Sequence, residues 1–208
     1  YTNNDLLGRI MLSMRDWGRD CVCPSGVDDS CGHRFDGQYG QLPRGYDHKY
    51  VYSHFGYNLK MTDMQAAVGC AQLKKLEGFI QRRNENWETL QAGLAGAGDK
   101  LLLPYHEEKA QPSWFGFLLT VREGIDRERV VRYIEEKGVQ TRMLFSGNLL
   151  RHPCFDELRK AGTGYRVVGD LPNTDRIVKD TFWVGVYPGM TQEMLEYMVQ
   201  TILDSIKQ

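Results

Sequence analysis

The fold of this chain is decided by the stretch Gly56-Tyr57-Asn58-Leu59-Lys60-Met61-Thr62-Asp63-Met64-Gln65-Ala66-Ala67, which joins a loop to a helix. Within it, Thr62 and Gln65 form a capping box, in which each side chain binds a backbone N–H of the first helical turn. Apolar residues then recur at helical spacing up to Leu94. We therefore predict one helix from Thr62 to Ala95, about 50 Å long, that leaves one domain and enters the next.

The early face of this helix carries small residues that permit close packing, and Cys70 is among them. A cysteine on such a face most simply behaves as a small apolar side chain, so we predict a buried core thiol. The same prediction applies to Cys154, which falls on a short helix further along the chain.

Upstream of the helix, residues 19–61 are rich in Gly, Asp, Tyr and His and show no clear period. So long an irregular stretch in a compact protein is usually functional or disordered. Disordered segments are poor in aromatic residues, whereas this one contains Phe35, Tyr39, Tyr46, Tyr50, Tyr52, Phe55 and Tyr57. We predict an ordered loop that covers a site or an interface.

Three of the five cysteines lie in or beside this loop, as Cys21, Cys23 and Cys31 in the pattern C-x-C-x₇-C. The Pro, Ser, Gly and Asp residues between them favour irregular backbone. Converging thiolates are ligands of soft metals and of iron–sulfur clusters, but a cluster usually needs a fourth protein ligand. His33 is close enough to complete a Cys₃His zinc site instead. Three free thiols are the remaining alternative.

The 208 residues carry a net charge of −1, which gives no electrostatic signal for nucleic acid or for an anionic membrane. No apolar run reaches the roughly 20 residues of a membrane span, and the polar start is unlike a signal peptide. Clustered, odd-numbered cysteines suit a reducing compartment, so we expect a cytoplasmic protein. Because the chain opens without Met and runs from a polar turn into a helix, we treat it as a C-terminal fragment.

Downstream of the long helix, strand and helix patterns alternate, which is typical of an α/β domain. The predicted strands are residues 101–103, 114–121, 139–145 and 182–186, and the predicted helices are residues 126–138, 152–160, 175–179 and 191–206. We expect the inward face of the last helix to consist of Met194, Met198, Ile202 and Ile206. An earlier helix, capped by Asn4 or Asp5, opens the chain.

Three segments carry a family resemblance. Residues 56–76 resemble the signature GYN-x-[RK]-M…QAA…QL-x-x-L, residues 15–18 resemble R-x-H-G with Trp17 in place of His, and residues 186–191 resemble L-P-x-Y-P-G-L-T. Together they resemble the DegT/DnrJ/StrS-type sugar aminotransferase family of pyridoxal-phosphate (PLP) enzymes. The resemblance implies an α/β protein of fold type I (aspartate aminotransferase-like). Residues 1–73 would end the large cofactor-binding domain, and residues 74–208 would form a small C-terminal α/β domain.

The cysteine loop departs from the ordinary aminotransferases of this family and resembles its sugar 3-dehydrases, which use pyridoxamine phosphate and a 2Fe–2S cluster. Other segments share that resemblance: residues 15–26, 42–67, 112–117, 165–175 and 182–189. It implies a CDP-4-keto-6-deoxyglucose substrate, an iron–sulfur flavin reductase as electron donor, a homodimer, and a role in making 3,6-dideoxy sugars for lipopolysaccharide. It also implies that Cys21, Cys23 and Cys31 are cluster ligands, with a fourth cysteine upstream of Tyr1.

The resemblance assigns Asn58 to the cofactor phosphate, reached from a neighbouring subunit, and Lys60 to an added positive charge. The catalytic base is a lysine in the aminotransferases and a histidine in the dehydrases. Its position lies upstream of Tyr1, so we expect no catalytic base in this chain. His48 and His54 could hydrogen-bond cofactor or substrate, although a lone loop histidine more often has a structural role.

Two residues are candidates for contact with the substrate. Phe115 stands where aminotransferase relatives have an active-site histidine, so the resemblance implies that it lines the sugar pocket. The alternative for Phe115 is a strand aromatic packed in the core. Arg142 could meet the nucleotide diphosphate, or it could form a surface ion pair.

Two other functions fit the sequence. One is a PLP-dependent nucleotide-sugar aminotransferase whose cysteine loop is structural or binds zinc. The other is a non-catalytic, metal-binding interaction module, which would be favoured if the protein truly began at Tyr1.

Overall fold

The computed structural model describes residues 1–24 and 26–207, and the chain divides into two compact units. We call Tyr1–Gln72 the N-terminal unit and Leu73–Gln208 the C-terminal unit, and describe each by itself. Within the described residues, every helix is too short or too polar to cross a membrane.

The N-terminal unit consists of two helices and a long irregular segment between them. Helix α1 spans Asp5–Arg15, and the Asn4 side chain caps it by accepting a hydrogen bond from the backbone N–H of Leu7. In the described part of the segment that follows, the one helical turn is the 3-10 turn His48–Tyr50, before helix α2 begins at Asp63 and ends at Leu73. The predicted irregular backbone is therefore confirmed for these described residues.

The predicted capping box forms in full. The backbone N–H of Thr62 donates to Gln65 Oε1 at 2.8 Å, and the backbone N–H of Gln65 donates to Thr62 Oγ1 at 3.3 Å. The prediction of a single long helix is wrong, because α2 ends at Leu73 and a second helix, α3, spans Leu76–Leu94. At the break, Lys75 has φ −99° and ψ −6°, which departs from regular helical dihedrals and interrupts the hydrogen-bond ladder.

The apolar faces of α1 and α2 are not buried within the N-terminal unit. Helix α2 has no buried residue, and Cys70 is exposed, so the prediction of a core thiol at this position is wrong. The reason is that helical spacing creates an apolar face without specifying what covers it. Val51 is the one buried apolar side chain among the described residues of this unit.

The C-terminal unit is built on a four-stranded antiparallel sheet with the strand order β1-β2-β4-β3. The strands are β1 Leu101–Leu102, β2 Gly116–Val121, β3 Thr141–Met143 and β4 Thr181–Gly185. Four helices follow α3 in this unit: α4 Arg127–Glu136, α5 Asp156–Ala161, α6 Pro172–Asp180 and α7 Gln192–Ser205. Strands and helices therefore alternate as predicted, with boundaries that differ by a few residues.

One face of this sheet forms the core with α3, α4 and α7. Alternate residues of the central strands point into it, and Phe117, Leu119, Phe182 and Val184 are fully buried. The opposite face carries Gly116, Trp183 and Gly185, and it is only partly covered. This two-sided pattern is the usual one for an antiparallel sheet.

Three local predictions for the C-terminal unit need correction. In α7, Ile202 and Ile206 are buried and Met198 packs against the core as predicted, whereas Met194 is 49% exposed and Leu195 faces the core at the start of the helix. The predicted helix at residues 152–160 begins as a 3-10 turn, Pro153–Phe155, which leaves Cys154 exposed rather than in the core. Strand β3 ends at Met143, since Phe145 adopts φ +46° and cannot continue it.

Candidate functional site

Two segments singled out in the sequence, residues 15–18 and residues 56–59, lie side by side. The backbone N–H of Trp17 donates to the Tyr57 carbonyl at 2.8 Å, and the N–H of Leu59 donates to the Arg15 carbonyl at 3.0 Å. Asp16 and Asn58 are directly paired in an antiparallel bridge. The family-like segments on either side of the cysteine loop therefore form one backbone assembly, from which the loop projects.

Glycine makes this contact possible. Gly18 has φ +83°, and a Cβ atom built there would lie 1.8 Å from the His54 carbonyl oxygen. A Cβ atom at Gly56 would lie 2.1 Å from the backbone nitrogen of Gly18. Neither position has room for a side chain, so both glycines are needed for the two segments to meet.

The candidate cofactor residues Asn58 and Lys60 are both on the exposed edge of this assembly. The Asn58 amide forms no hydrogen bond with any described residue, so it remains available to a phosphate group. Lys60 lies close enough to Asp16 to help lower the pKa of that carboxyl, whose largest influence is the hydrogen bond from Arg15.

Cys21, Cys23 and Cys31 line a single cavity of about 230 Å³, which we call the thiol pocket. The hydrogen bonds that influence the Cys23 thiol come first from Ser30, then from the Cys31 backbone, and also from the other two cysteine side chains. The loop therefore brings the three predicted ligands into one place.

The protonation of the thiols differs between neighbours. Hydrogen bonds from Ser30 and the Cys31 backbone lower the pKa of Cys23 to about 7, whereas partial burial raises the pKa of Cys21. Thiolates are the form that binds metal. Among the described residues, no group of three or more His, Cys, Asp or Glu side chains is arranged so that it could already hold a metal ion. The donor atoms suit an iron–sulfur cluster, while their present arrangement is not that of a preformed site.

Cationic side chains surround the thiols. Arg19, Arg34, Lys49 and Lys60 all line the thiol pocket. Two of them are held by carboxylates: Arg34 donates to Asp47 through two nitrogens, and Lys49 donates to Asp28 at 2.5 Å. These ion pairs fix the walls of the pocket, and the carboxylates of Asp16, Asp28 and Asp29 line it too, so cationic and anionic groups are mixed around the thiols.

The three histidines of the loop have protein partners. His54 Nε2 is 2.9 Å from the hydroxyl of the buried Ser13, and His48 Nε2 is 2.7 Å from an Asp20 carboxylate oxygen. His33 is paired with Asp36 at 3.1 Å and is not among the described residues that line the thiol pocket. His54 therefore has a structural contact, whereas His48 also lines the thiol pocket and its buried Nδ1 has no partner among the described residues.

Phe115, the candidate sugar-pocket residue, is exposed in the C-terminal unit and belongs to an aromatic cluster. Its ring is 5.4 Å from Trp183 and 6.5 Å from Phe145. A Cβ atom at Gly116 would lie 2.5 Å from Trp183 Cε3, so the glycine makes room for the indole. The alternative of a core aromatic is not what the structure shows for Phe115.

Arg142 is exposed on β3, where it pairs in register with Trp183. Because paired residues of an antiparallel sheet project to the same face, the guanidinium and the indole are neighbours. Both line an apolar cavity of about 470 Å³ that also contains Tyr187 and Tyr197. No described carboxylate forms a close salt bridge with Arg142, although the charge of Arg142 helps to lower the pKa of Glu135.

Several residues at these two sites were not identified from the sequence. Trp183 joins Phe115 through the pairing of β2 with β4, and Phe145 reaches them from just beyond β3; neither contact is visible in the sequence. Arg19 had a readable signal, because it lies two residues before Cys21 and an extended backbone would place both side chains on one face.

The fold defines the class of protein. The chain superposes on a PLP-bound GDP-4-keto-6-deoxy-D-mannose-3-dehydratase from E. coli with a TM-score of 0.72 at 23% identity, covering 97% of this chain and 48% of that one. It superposes on an aminotransferase from Psychrobacter cryohalolentis with a TM-score of 0.69 at 22% identity, covering 100% of this chain and 51% of that one. The predicted fold-type I architecture is confirmed.

The sequence then gives the family. Residues 38–203 match the DegT/DnrJ/EryC1/StrS aminotransferase family, and the chain belongs to it. It is 52% identical over 201 residues to the lipopolysaccharide biosynthesis protein RfbH of Salmonella typhimurium, covering 96% of this chain and 45% of that protein. It is 48% identical over 202 residues to the dTDP-4-dehydro-2,6-dideoxy-D-glucose 3-dehydratase of Saccharopolyspora spinosa, covering 96% of this chain and 42% of that protein. The chain thus spans less than half the length of these relatives.

Proposed function

We propose that this chain is the C-terminal part of a nucleotide-sugar 3-dehydratase that uses pyridoxamine phosphate and a 2Fe–2S cluster. Its substrate is CDP-4-keto-6-deoxyglucose, and its product is a precursor of a 3,6-dideoxy sugar of lipopolysaccharide. The enzyme works in the cytoplasm as a homodimer and receives electrons from an iron–sulfur flavin reductase. Because the chain covers less than half of its relatives, the base and a fourth cluster cysteine are assigned to residues before Tyr1.

One observation carries this proposal: three thiols share one pocket on a loop that leaves directly from the backbone assembly of residues 15–18 and 56–59. The names of two relatives, a 3-dehydratase and a lipopolysaccharide biosynthesis protein, support the same reaction class.

When bound, the pyridoxamine cofactor supplies an electron sink for loss of the sugar 3-hydroxyl, and the cluster supplies single electrons. Asn58 would hold the cofactor phosphate through its side-chain amide N–H groups, and Lys60 would add positive charge beside it. Cys21, Cys23 and Cys31 would hold iron as thiolates, for which the pKa of about 7 at Cys23 is favourable.

We assign the substrate contacts to residues of the C-terminal unit. Phe115 and Trp183 offer exposed aromatic faces that exclude water from a sugar or a base. Arg142, beside Trp183, offers a guanidinium fork that matches diphosphate oxygens. These residues bind and orient the substrate, and they take no part in proton transfer.

The test uses the anaerobically prepared full-length enzyme. We expect iron and sulfide in equal amounts, visible absorption from the cluster, and, with pyridoxamine phosphate, reductase and NADH, conversion of CDP-4-keto-6-deoxyglucose to a 3-deoxy product. Cys23→Ser should remove the iron, whereas Cys70→Ser, at an exposed cysteine outside the thiol pocket, should not. Bound zinc with amino transfer to the sugar would establish the aminotransferase instead. Metal without any turnover would point to the interaction module.

The nucleotide is tested separately. The same assay is run with CDP-, dTDP- and GDP-linked 4-keto-6-deoxy sugars, and we expect the highest kcat/KM for the CDP-linked one. A preference for dTDP or GDP would overturn the substrate assignment while leaving the reaction class in place.

A further inference from the structure

We infer that Arg19 tunes the reduction potential of the group held in the thiol pocket, by placing a half-buried positive charge and a buried Nε–H donor beside the cysteine sulfurs. This inference rests on the proposed function, because it requires that the three thiols bind an iron–sulfur cluster. It assigns to Arg19 a role in electron uptake and none in proton transfer or in binding the sugar.

The position of Arg19 is fixed by its backbone. The residue pairs with Tyr52 in an antiparallel bridge, and its carbonyl accepts a hydrogen bond from the hydroxyl of the buried Ser13 at 2.6 Å. Its own N–H donates to the Asp16 carbonyl at 3.1 Å. These contacts hold Arg19 two residues ahead of Cys21, and both side chains line the thiol pocket.

The side chain of Arg19 is also held, but without an anionic partner. The guanidinium carbon lies 5.6 Å from the centre of the Trp17 ring and 5.9 Å from that of Tyr52, so two aromatic faces steady the charge. The Nε–H is buried, and no described residue accepts a hydrogen bond from it. A buried donor without a partner is costly, and an acceptor in the pocket would remove that cost.

The other arginine of the pocket shows the contrast. Arg34 is neutralised by Asp47 through a bidentate ion pair, whereas no carboxylate among the described residues pairs with Arg19. Arg19 acts on the Asp16 carboxyl only through space, as the smallest of the influences that lower the pKa of that group, so the Arg19 charge is less closely neutralised than that of Arg34. Reduction adds one negative charge to a cluster, and nearby positive charge and hydrogen bonds to sulfur favour the reduced form.

The test measures the potential of the cluster in the full-length protein, with no substrate present. Dithionite adds one electron to each cluster, converting one ferric ion to ferrous, and electron paramagnetic resonance counts the reduced form at set potentials. We expect Arg19→Gln to lower the ratio of reduced to oxidised cluster at least tenfold at a given potential, a shift of 59 mV for one electron. Arg19→Lys, which keeps the charge and loses Nε, should show a smaller shift.

A matched control removes a charge elsewhere. Arg44 is exposed in the same irregular segment and is not among the described residues lining the thiol pocket, so Arg44→Gln should leave the potential unchanged. An unchanged potential in Arg19→Gln would overturn the inference, as would equal shifts in the two Gln variants. Loss of iron from both Arg19 variants would also overturn it, because Arg19 would then be needed for assembly. A wild-type protein without iron would instead refute the proposed function.

Discussion

Gly18 and Gly56 are the residues on which the N-terminal unit depends most directly. Each occupies a place where a Cβ atom would run into backbone rather than into a movable side chain: the His54 carbonyl in one case and the Gly18 nitrogen in the other. Backbone cannot move aside without breaking the hydrogen bonds between residues 15–18 and 56–59. Adding a methyl group at either position should therefore lower the free energy of unfolding by more than an unfavourable φ alone would.

This argument gives a prediction for Gly18→Ala. We expect the free energy of unfolding of the full-length protein to fall by about 3 kcal/mol or more, since left-handed strain and a backbone clash add together. Gly26→Ala is the matched control, because Gly26 has a similar φ of +79° but nothing within 4 Å of its Cβ position. It should cost only about 1–2 kcal/mol. Urea unfolding measures both values, and equal losses would show that the clash is not real.

Single residues were predictable where their chemistry was unusual. The three loop cysteines stood out by type and spacing, and the structure places them in one pocket as the sequence suggested. Trp183 did not stand out, because a tryptophan is ordinary in a soluble protein and becomes informative only through its neighbours. For Trp183 those neighbours come from strand pairing over long sequence separation.

Between elements, the contact of α4 with β3 depends on one carboxylate. Glu135 Oε1 accepts from the backbone N–H of Thr141 at 2.5 Å and from its hydroxyl at 2.7 Å. Both hydrogen bonds hold the pKa of Glu135 below its ordinary value of 4.5, and the bond from the hydroxyl has the larger effect. A carboxyl with a lowered pKa stabilises the fold above its unfolded pKa, and that contribution is lost as pH falls through the folded pKa.

We therefore expect Glu135→Gln to flatten the dependence of stability on acid pH. The amide oxygen still accepts both hydrogen bonds, so stability at pH 7 should fall only slightly, on the order of 0.5 kcal/mol for an exposed group. Between pH 7 and pH 3, the variant should lose less stability than the wild type. Glu136→Gln, at an exposed neighbouring carboxyl that forms no hydrogen bond with a described residue, should keep the wild-type slope. Parallel slopes for wild type and Glu135→Gln in urea titrations would contradict the assignment.

Helices and strands were predictable in type and less so in their ends. The capping box at Thr62 and the cap at Thr191 both mark real helix starts, since side-chain caps are local interactions. The break at Lys75 was missed, because an apolar period on both sides of it gives no sign of the interruption. The end of β3 was missed for a related reason, as the left-handed φ of Phe145 is rare for an aromatic residue.

The two units of the molecule differ in how much apolar surface they bury. The C-terminal unit has a continuous core formed by α3, α4, α7 and the sheet, whereas Val51 is the buried apolar side chain of the described N-terminal unit. Sequence periodicity could not reveal this difference, because the apolar faces of α1 and α7 look alike and burial depends on what packs against them. Stability should follow the buried area and not the count of apolar residues.

The whole-molecule prediction concerns the separate units. Expressed alone, Leu73–Gln208 should unfold in one cooperative urea transition, because its core lies entirely within the unit. Ile202→Ala, which empties a fully buried position, should lower its free energy of unfolding by roughly 2–5 kcal/mol and so confirm that the transition reports on this core.

Expressed alone, Tyr1–Gln72 should show no cooperative transition by circular dichroism, because so little apolar surface is buried within it. A sharp transition in that fragment would contradict this expectation. It would mean that the hydrogen-bonded backbone assembly and the ion pairs fold the fragment without a large buried apolar core.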